Sequence, residues 1–571
     1  MACWQENMQE IFSRFPHIGE EIMDQVDNAH LTECRVVNRF WRSFIDNQKL
    51  LWMRIIYEKG LFTKEWEETS RKLNVEMVKI LAKTVHQFYT DDIDQDFQTP
   101  LAFAAISGNT EIVAKLFNKE AFQNQDGLPF HHSAKHGHLE VCQFFINSID
   151  DKNPKDKDDL TPLHVAAENG QFHVCQMILE VNDDKNPKTL DVIGGHTPLH
   201  EAAKNNHSSI CHLILENVSD TNPKDCHERT PLHYAAKNGD LEVCQIILSS
   251  VKEKNPRDNY RGDTPLHNAL QNGHTEICRL IIECAEDKNP VCSECGVTIF
   301  HTAAELGNLE VCQLMIENVK EEHPREDYGY SPLHFAADHG QLDAFQLIFK
   351  SVRDKSPSTH NGRTPLHLAA KEGHVDICKF IIENDKNLSP LMDDGRTPLH
   401  LAAAAGQLET FKIIFEVVDE KSPLTKIGDT PLHNAVESCN LEICKFIIEN
   451  NSNPNVRNNG GETPLHLAAA FDNLAIFKLL FHVVKDKSPQ TESKDTPLHY
   501  AAELSHLEVC KFILENMEDS NRCNTLNRRN KSGETPLDLA IQKGDEKVCN
   551  LLKFYENLHM HPAKRQRFSN M

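Results

Sequence analysis

Between residues 92 and 557, apolar and polar positions follow a helical beat that restarts about every 33 residues. Each period opens with Thr-Pro-Leu-His or a near copy, then two small residues, as in Ala166-Ala167 or Ala369-Ala370. A glycine interrupts the run, as at Gly170, Gly239, Gly340 and Gly373. A second run with an apolar face follows, as in Leu441-Glu-Ile-Cys-Lys-Phe-Ile-Ile448. The pattern predicts two short helices per period, with loops such as Asp151-Lys-Asn-Pro154 and Asp354-Lys-Ser-Pro357 leading to the next.

Each part of this pattern has a physical task. Thr caps the first helix by accepting from an orphan N–H, worth about 1 kcal/mol. Pro takes the first helical position, where its missing N–H costs nothing. Leu163, Leu199, Leu232 and their equivalents face the stack, each contributing roughly 1.5–3 kcal/mol when fully buried. Glycine suits the left-handed turn that ends the helix. No single period can bury its own apolar face, so the units are stable only when stacked.

The tetrapeptide begins at Thr161, Thr197, Thr230, Thr264, Ser331, Thr364, Thr397, Thr430, Thr463 and Thr496, with degenerate copies at Thr99, Leu128, Thr298 and Thr535. That makes fourteen units, mostly 33 residues apart, with 36 before Thr197 and 39 before Thr535. The series resembles the ankyrin-repeat family, whose period is about 33 residues and whose signature is Thr-Pro-Leu-His-x-Ala. The resemblance implies an all-α solenoid of about fourteen units with short β-hairpin-like fingers over residues 92–557, and a protein-binding role. The motif histidines, for example His164, His233 and His466, are expected to hydrogen-bond backbone groups between adjacent units.

A second period lies inside the first. Fourteen residues after the motif start stand Cys142, Cys175, Cys211, Cys244, Cys278, Cys312, Cys378, Cys444, Cys510 and Cys549, while Phe345, Phe411 and Phe477 take that place in three units spaced by 66 residues. This either holds interior volume fixed along the stack or is a trace of duplication. Packed helices lie about 8–10 Å apart and a disulfide needs Cα atoms within roughly 7 Å, so these cysteines read as small buried hydrophobes.

Residues 1–91 leave the repeat. Ile18, Ile22, Val26, Leu31, Val36, Val37, Phe40 and Phe44 predict two or three short helices. Phe15-Pro16, Leu31, Val37-Asn38-Arg39-Phe40-Trp41 and Leu51-Trp52 stand in an order that resembles the F-box, a short helical module that docks on the adaptor subunit of a cullin-RING ubiquitin ligase. Phe15 and Asn38 depart from that pattern, as does Asn28-Ala29-His30 in place of an acidic residue before Leu31. The resemblance implies an F-box-like module over residues 1–60 in which Phe15, Pro16, Ile18, Ile22, Leu31, Val37, Trp41, Leu51 and Trp52 bind the adaptor. The alternative is a helical cap over the first repeat's apolar end. Residues 61–91, with Trp66, Leu73, Val78, Leu81, Val85 and Phe88, read as a helical connector.

Composition narrows the function. A net charge of −25 argues against a protein that tracks nucleic-acid backbones. No apolar run approaches the roughly 18 residues of a membrane span, and Met1-Ala2-Cys3-Trp4-Gln5-Glu6 lacks the regions of a signal peptide. A cytoplasmic chain with mostly reduced thiols is therefore expected. Residues 558–571 are expected to form a basic, disordered tail, in which Lys564-Arg565-Gln566-Arg567 resembles a nuclear import signal. Cys292-Ser-Glu-Cys295, near Cys284 and His301, has no second such pair to complete a zinc set, and His131 is a motif histidine with His132, His136 and His138 placed on an exposed turn. No phosphate loop, zinc-protease motif or nucleophile elbow stands out, so no catalytic site, metal or cofactor is expected.

The reading is a receptor that bridges a target protein, held by the repeats, to the ligase, held by the N-terminal module; the alternative is a plain ankyrin scaffold capped by residues 1–60. Target contacts are expected at the tips before each motif, Tyr260, Arg261, Tyr328, Tyr330, Arg363 and Arg396, and at first-helix positions Tyr234, Phe335 and Tyr500, taken as exposed.

Overall fold

The computed structural model describes residues 99–560, apart from 120–121, 123–127, 292–294, 320–323 and 451–452. The residues expected to hold the adaptor (Phe15, Pro16, Ile18, Ile22, Leu31, Val37, Trp41, Leu51 and Trp52) lie outside the described residues, as do the connector 61–91, Cys292 and the basic quartet 564–567.

The chain divides into two compact units, Met1–Asp287 and Lys288–Met571. Among the described residues the first unit holds six helix pairs, from Pro100–Ile106 with Thr110–Leu116 to Pro265–Gln271 with Thr275–Cys284. The second holds eight, from Ile299–Leu306 with Leu309–Asn318 to Pro536–Lys543 with Glu546–Met560. Inside each unit, consecutive first helices pack on one another and each packs on its own second helix. The last helix carries Val548 and Leu552 into the core and continues through residues 558–560, which the sequence placed in the tail.

One repeat shows why the pattern folds this way. Thr364 caps Pro365–Glu372 with its side chain, and its own N–H donates to His367 Nδ1 at 3.1 Å. This is a capping box with His in the place Glu usually takes. Ala369 and Ala370 are fully buried, letting neighbouring first helices approach. Val375–Asn384 then buries Ile377, Cys378 and Ile381, positions that share one helical face.

The turn between the two helices is left-handed. At Gly239 (φ 86°) an added Cβ would run into the His274 ring of the next repeat, so only glycine fits. Four repeats hold the same turn without glycine: Asn206, Cys439, Asp472 and Ser505, at φ 62°, 61°, 52° and 65°.

The expected β-hairpin-like fingers are tight turns instead. Among the described residues no strand forms, and one isolated bridge pairs Val291 with Thr298. A finger is closed on itself: Thr359 N–H donates to Arg363 O at 2.8 Å and Thr359 Oγ1 accepts from Arg363 N–H at 3.0 Å. The side-chain acceptor competes for the N–H groups a hairpin would pair. Successive fingers are joined by one backbone bond each, such as His360 N–H to Tyr328 O (3.1 Å) and Asp393 N–H to Asn361 O (3.0 Å). One bond per finger is too few for a ladder.

The ten aligned cysteines are buried and free. Phe345, Phe411 and Phe477 are fully buried, and each joins a three-ring cluster across a repeat boundary. Phe345 lies 5.8 Å from Phe349 and 6.1 Å from Phe380, and the trios Phe411–Phe415–Phe446 and Phe477–Phe481–Phe512 repeat this geometry. Lys355, Lys421 and Lys487 cover Phe349, Phe415 and Phe481 at 4.8, 5.0 and 4.9 Å. The 66-residue block is thus a packing unit: volume is exchanged between a Phe in one repeat and a Phe two residues beyond the Cys of the next.

Both long spacings hold extra structure. The 36-residue spacing carries a helical turn at Asp191–Ile193 that leaves Val192 89% exposed. The 39-residue spacing carries a helix, Asp519–Asn527, absent from the sequence expectation; its Arg522 covers the Tyr555 ring of the last repeat at 5.6 Å.

Candidate protein-binding face

The first helices and fingers of each unit form a face built by the motif histidines. Thr397 N–H donates to His400 Nδ1 at 3.1 Å, which leaves the ring proton on Nε2, directed at Asp429 O of the next repeat at 3.2 Å. In the first unit His164, His200 and His233 reach His196 O, Arg229 O and Asp263 O in the same way. The expectation that these histidines tie adjacent units through the backbone holds at these positions. Burial pushes His367, His400 and His466 down to about 4, so each is neutral near pH 7.

The histidine turn near residue 135 is less open than expected. His132 is buried and His136 and His138 are half-buried, because His138 Nε2 donates back to Ile106 O at 2.7 Å. Burial first, then the charges of His138 and Lys135, lowers His136 to about 4.

The expected contact residues divide by exposure. In the first unit Tyr260 and Arg261 stand exposed at a fingertip, the guanidinium 5.6 Å from the ring. Tyr328 stands likewise at a fingertip of the second unit. Tyr234, Phe335 and Tyr500, expected to be exposed, are all half-buried. The cause is hydrogen bonding and ring packing toward the adjacent repeat. Tyr500 Oη donates to Glu462 Oε1 at 2.6 Å, and the Phe335 ring meets His301 at 5.0 Å. Tyr330, Phe335 and Arg363 come together: Arg363 Nη1 donates to Tyr330 Oη at 2.9 Å and the two rings are 6.4 Å apart. Arg396 pairs with Asp394 at 2.6 Å.

Tyr234 belongs to a polar cluster that the repeat motif does not announce. Its hydroxyl donates to Asp225 Oδ2 at 2.7 Å and lies 3.0 Å from His196 Nε2, while His196 Nδ1 lies 2.6 Å from Glu201 Oε1. Arg229 Nε donates to Asp225 Oδ2 at 3.0 Å and its guanidinium covers the Tyr234 ring at 5.1 Å. Burial works against ionisation of Asp225, but the Tyr234 hydroxyl, two backbone N–H groups and Arg229 outweigh it and hold the carboxyl below its usual range. The available signal was positional: His196 and Arg229 directly precede a Thr-Pro motif, and Glu201 is the one acid at a motif offset where other repeats carry Leu, Asn, Tyr, Phe, Val, Thr or His.

On the opposite side of the second unit, a shallow groove of about 570 Å³ opens between Leu309–Asn318 and Leu342–Ser351, lined by residues including Leu309, Gln313 and Leu347. Among the described residues no helix is long and apolar enough to cross a membrane.

Comparison with known proteins agrees with the geometry. The family described as "Ankyrin repeats (3 copies)" matches residues 130–225, 199–292, 284–357, 348–426 and 470–561, and "Ankyrin repeats (many copies)" matches 427–481. No curated protein matches the chain. Ankyrin repeats are protein–protein interaction modules, and since the matches cover well over half of the sequence, the chain belongs to the ankyrin-repeat family.

Proposed function

We propose that the chain is a substrate receptor: the ankyrin stack holds a target protein, and residues 1–60 hold the adaptor subunit of a cullin-RING ubiquitin ligase. The carrying observation is the order Phe15-Pro16, Leu31, Val37 to Trp41 and Leu51-Trp52, which a simple cap over the first repeat has no need of. The receptor does no chemistry itself; it raises the effective concentration of target lysines beside the ligase. Tyr260, Arg261 and Tyr328, exposed at fingertips, are the first-choice target contacts, with the half-buried Tyr234, Tyr330, Phe335, Arg363, Arg396 and Tyr500 behind them. The test is adaptor binding by the full-length protein and by its Phe15→Ala, Pro16→Ala variant, with melting curves for both. The wild type should bind and the folded variant should bind more weakly. A folded wild type that leaves the adaptor unbound at micromolar concentration reduces the N-terminal segment to a cap and the protein to a scaffold.

A further inference from the structure

In the second unit, the residue just before the motif changes sign once along the stack. Arg363 and Arg396 come first, and Asp429, Glu462, Asp495 and Glu534 follow. The six backbones are held alike. His334, His367, His400, His433, His466 and His499 donate from Nε2 to these six carbonyls at 3.0, 3.2, 3.2, 3.3, 3.2 and 3.3 Å. Their side chains therefore leave equivalent places on successive repeats and form one half-buried column.

The acidic part of the column is braced by neutral groups. Asn458 Nδ2 donates to Asp429 Oδ1 (3.0 Å) and Glu462 Oε2 (2.9 Å), and Tyr500 Oη donates to Glu462 Oε1. Asn530 Nδ2 donates to Asp495 Oδ1 (3.0 Å) and Glu534 Oε2 (3.2 Å), and Gln542 Nε2 to Glu534 Oε1 (2.7 Å). Neutral donors fix the carboxylates without cancelling their charge, and among the described residues no lysine or arginine forms an ion pair with any of the four. At the other end Arg363 Nε is buried without a hydrogen-bond partner among the described residues, beside Tyr330.

The spacing of the column selects the backbone that can follow it. Packed helices repeat at about 8–10 Å. A polyproline II segment advances about 3.1 Å per residue with three residues per turn, so every third side chain returns to one face after about 9 Å. A β-strand returns to one face after about 7 Å and falls out of step. We propose that this column binds an extended, polyproline II-like segment of the target protein, with a cationic side chain at every third residue against the four carboxylates and acidic ones at the same spacing against the two arginines. This specifies the target's chemistry within the receptor reading above and rests on the stack being the target-holding half.

The experiment uses the full-length protein and two fluorescent peptides of identical composition. One has two Glu-Pro-Pro triplets followed by four Lys-Pro-Pro triplets; the other has the same residues with the charges in contiguous blocks. The periodic peptide should bind the wild type about tenfold more tightly than the block peptide, and should weaken as salt rises. Asp429→Asn with Asp495→Asn keeps an oxygen acceptor for each bracing amide, so its loss of affinity, again about tenfold, reports charge. Equal binding of the two peptides overturns the proposal, as does unchanged binding by the folded double variant. Should that variant lose its fold, wild-type affinity for the periodic peptide that does not fall with salt overturns it equally. Adaptor binding is read on the same samples. An adaptor that binds while the peptides are not discriminated leaves the receptor reading standing and removes the partner chemistry; discrimination without adaptor binding does the reverse.

Discussion

The ring of Phe349 meets that of Phe380 edge-on, 5.2 Å away at 79°, so that the second helix of one repeat is keyed to the second helix of the next. Phe415 meets Phe446 and Phe481 meets Phe512 in the same way, both at 5.4 Å. Phe349→Ala, Phe415→Ala and Phe481→Ala should each destabilise their neighbourhood by about 3–5 kcal/mol, and by similar amounts. Urea unfolding combined with hydrogen exchange of the flanking helices measures this. Markedly unequal losses would mean that the three blocks are alike in geometry but not in energy.

Acid should loosen the stack through its motif histidines. Burial lowers His367, His400 and His466 from the ordinary 6.5 to about 4. Between those values the unfolded chain binds more protons than the folded one, so stability is complete above about pH 6.5 and is lost as pH falls toward about 4. Denaturant midpoints should be flat from neutral to mildly alkaline pH and drop through that window. His400→Gln should flatten the drop while lowering stability at neutral pH.

Thiol reactivity should sort the cysteines by place. Burial pushes Cys142, Cys175, Cys312 and Cys510 up to about 12, so these thiols are both inaccessible and un-ionised near pH 8. Among the described cysteines, Cys284 and Cys439 are exposed and should label first. Mass spectrometry after brief alkylation of native protein reads the order, and early labelling of the aligned cysteines would contradict the buried core.

Tyr234 and Tyr500, both half-buried, should respond differently to loss of the hydroxyl. The Asp225 side chain is fully shielded and accepts from Tyr234, so Tyr234→Phe should cost about 1.5–3 kcal/mol. Glu462 is half-exposed, and water can replace the lost bond in Tyr500→Phe, for about 1 kcal/mol or less. Thermal unfolding of the two variants compares them directly.

The repeat itself was legible because its physics is local: Thr364, Pro365, His367 and Gly373 each serve their own helix or its immediate neighbour, at a fixed offset. The three-ring clusters were half legible. The period of Phe345, Phe411 and Phe477 stood in the sequence, but their meeting with Phe380, Phe446 and Phe512 depends on how successive second helices align. The Asp225–Tyr234–His196 cluster was not legible, since it arises where a lengthened finger brings His196 against the finger and first helix of the next repeat. The fingers misled for a different reason. Their residues permit a hairpin, and the side chains of Thr359 and Asp225, accepting from their own backbone, decide against it.

Cys439, Asp472 and Ser505 hold, in three consecutive repeats, a left-handed turn that glycine fills in most of the others. An L-residue in that conformation costs roughly 1–2 kcal/mol, and in a stacked array such local terms act on a repeat and its neighbours rather than on the whole chain. The helices Pro431–Glu437, Pro464–Ala470 and Pro497–Glu503, which lead into these turns, should therefore form the softest seam of the second unit, where transient opening begins. The same three repeats carry Asp429, Glu462 and Asp495 at their leading edges. A partner segment laid across those carboxylates would bridge the seam, and its binding would be felt as slowed breathing of helices it never touches.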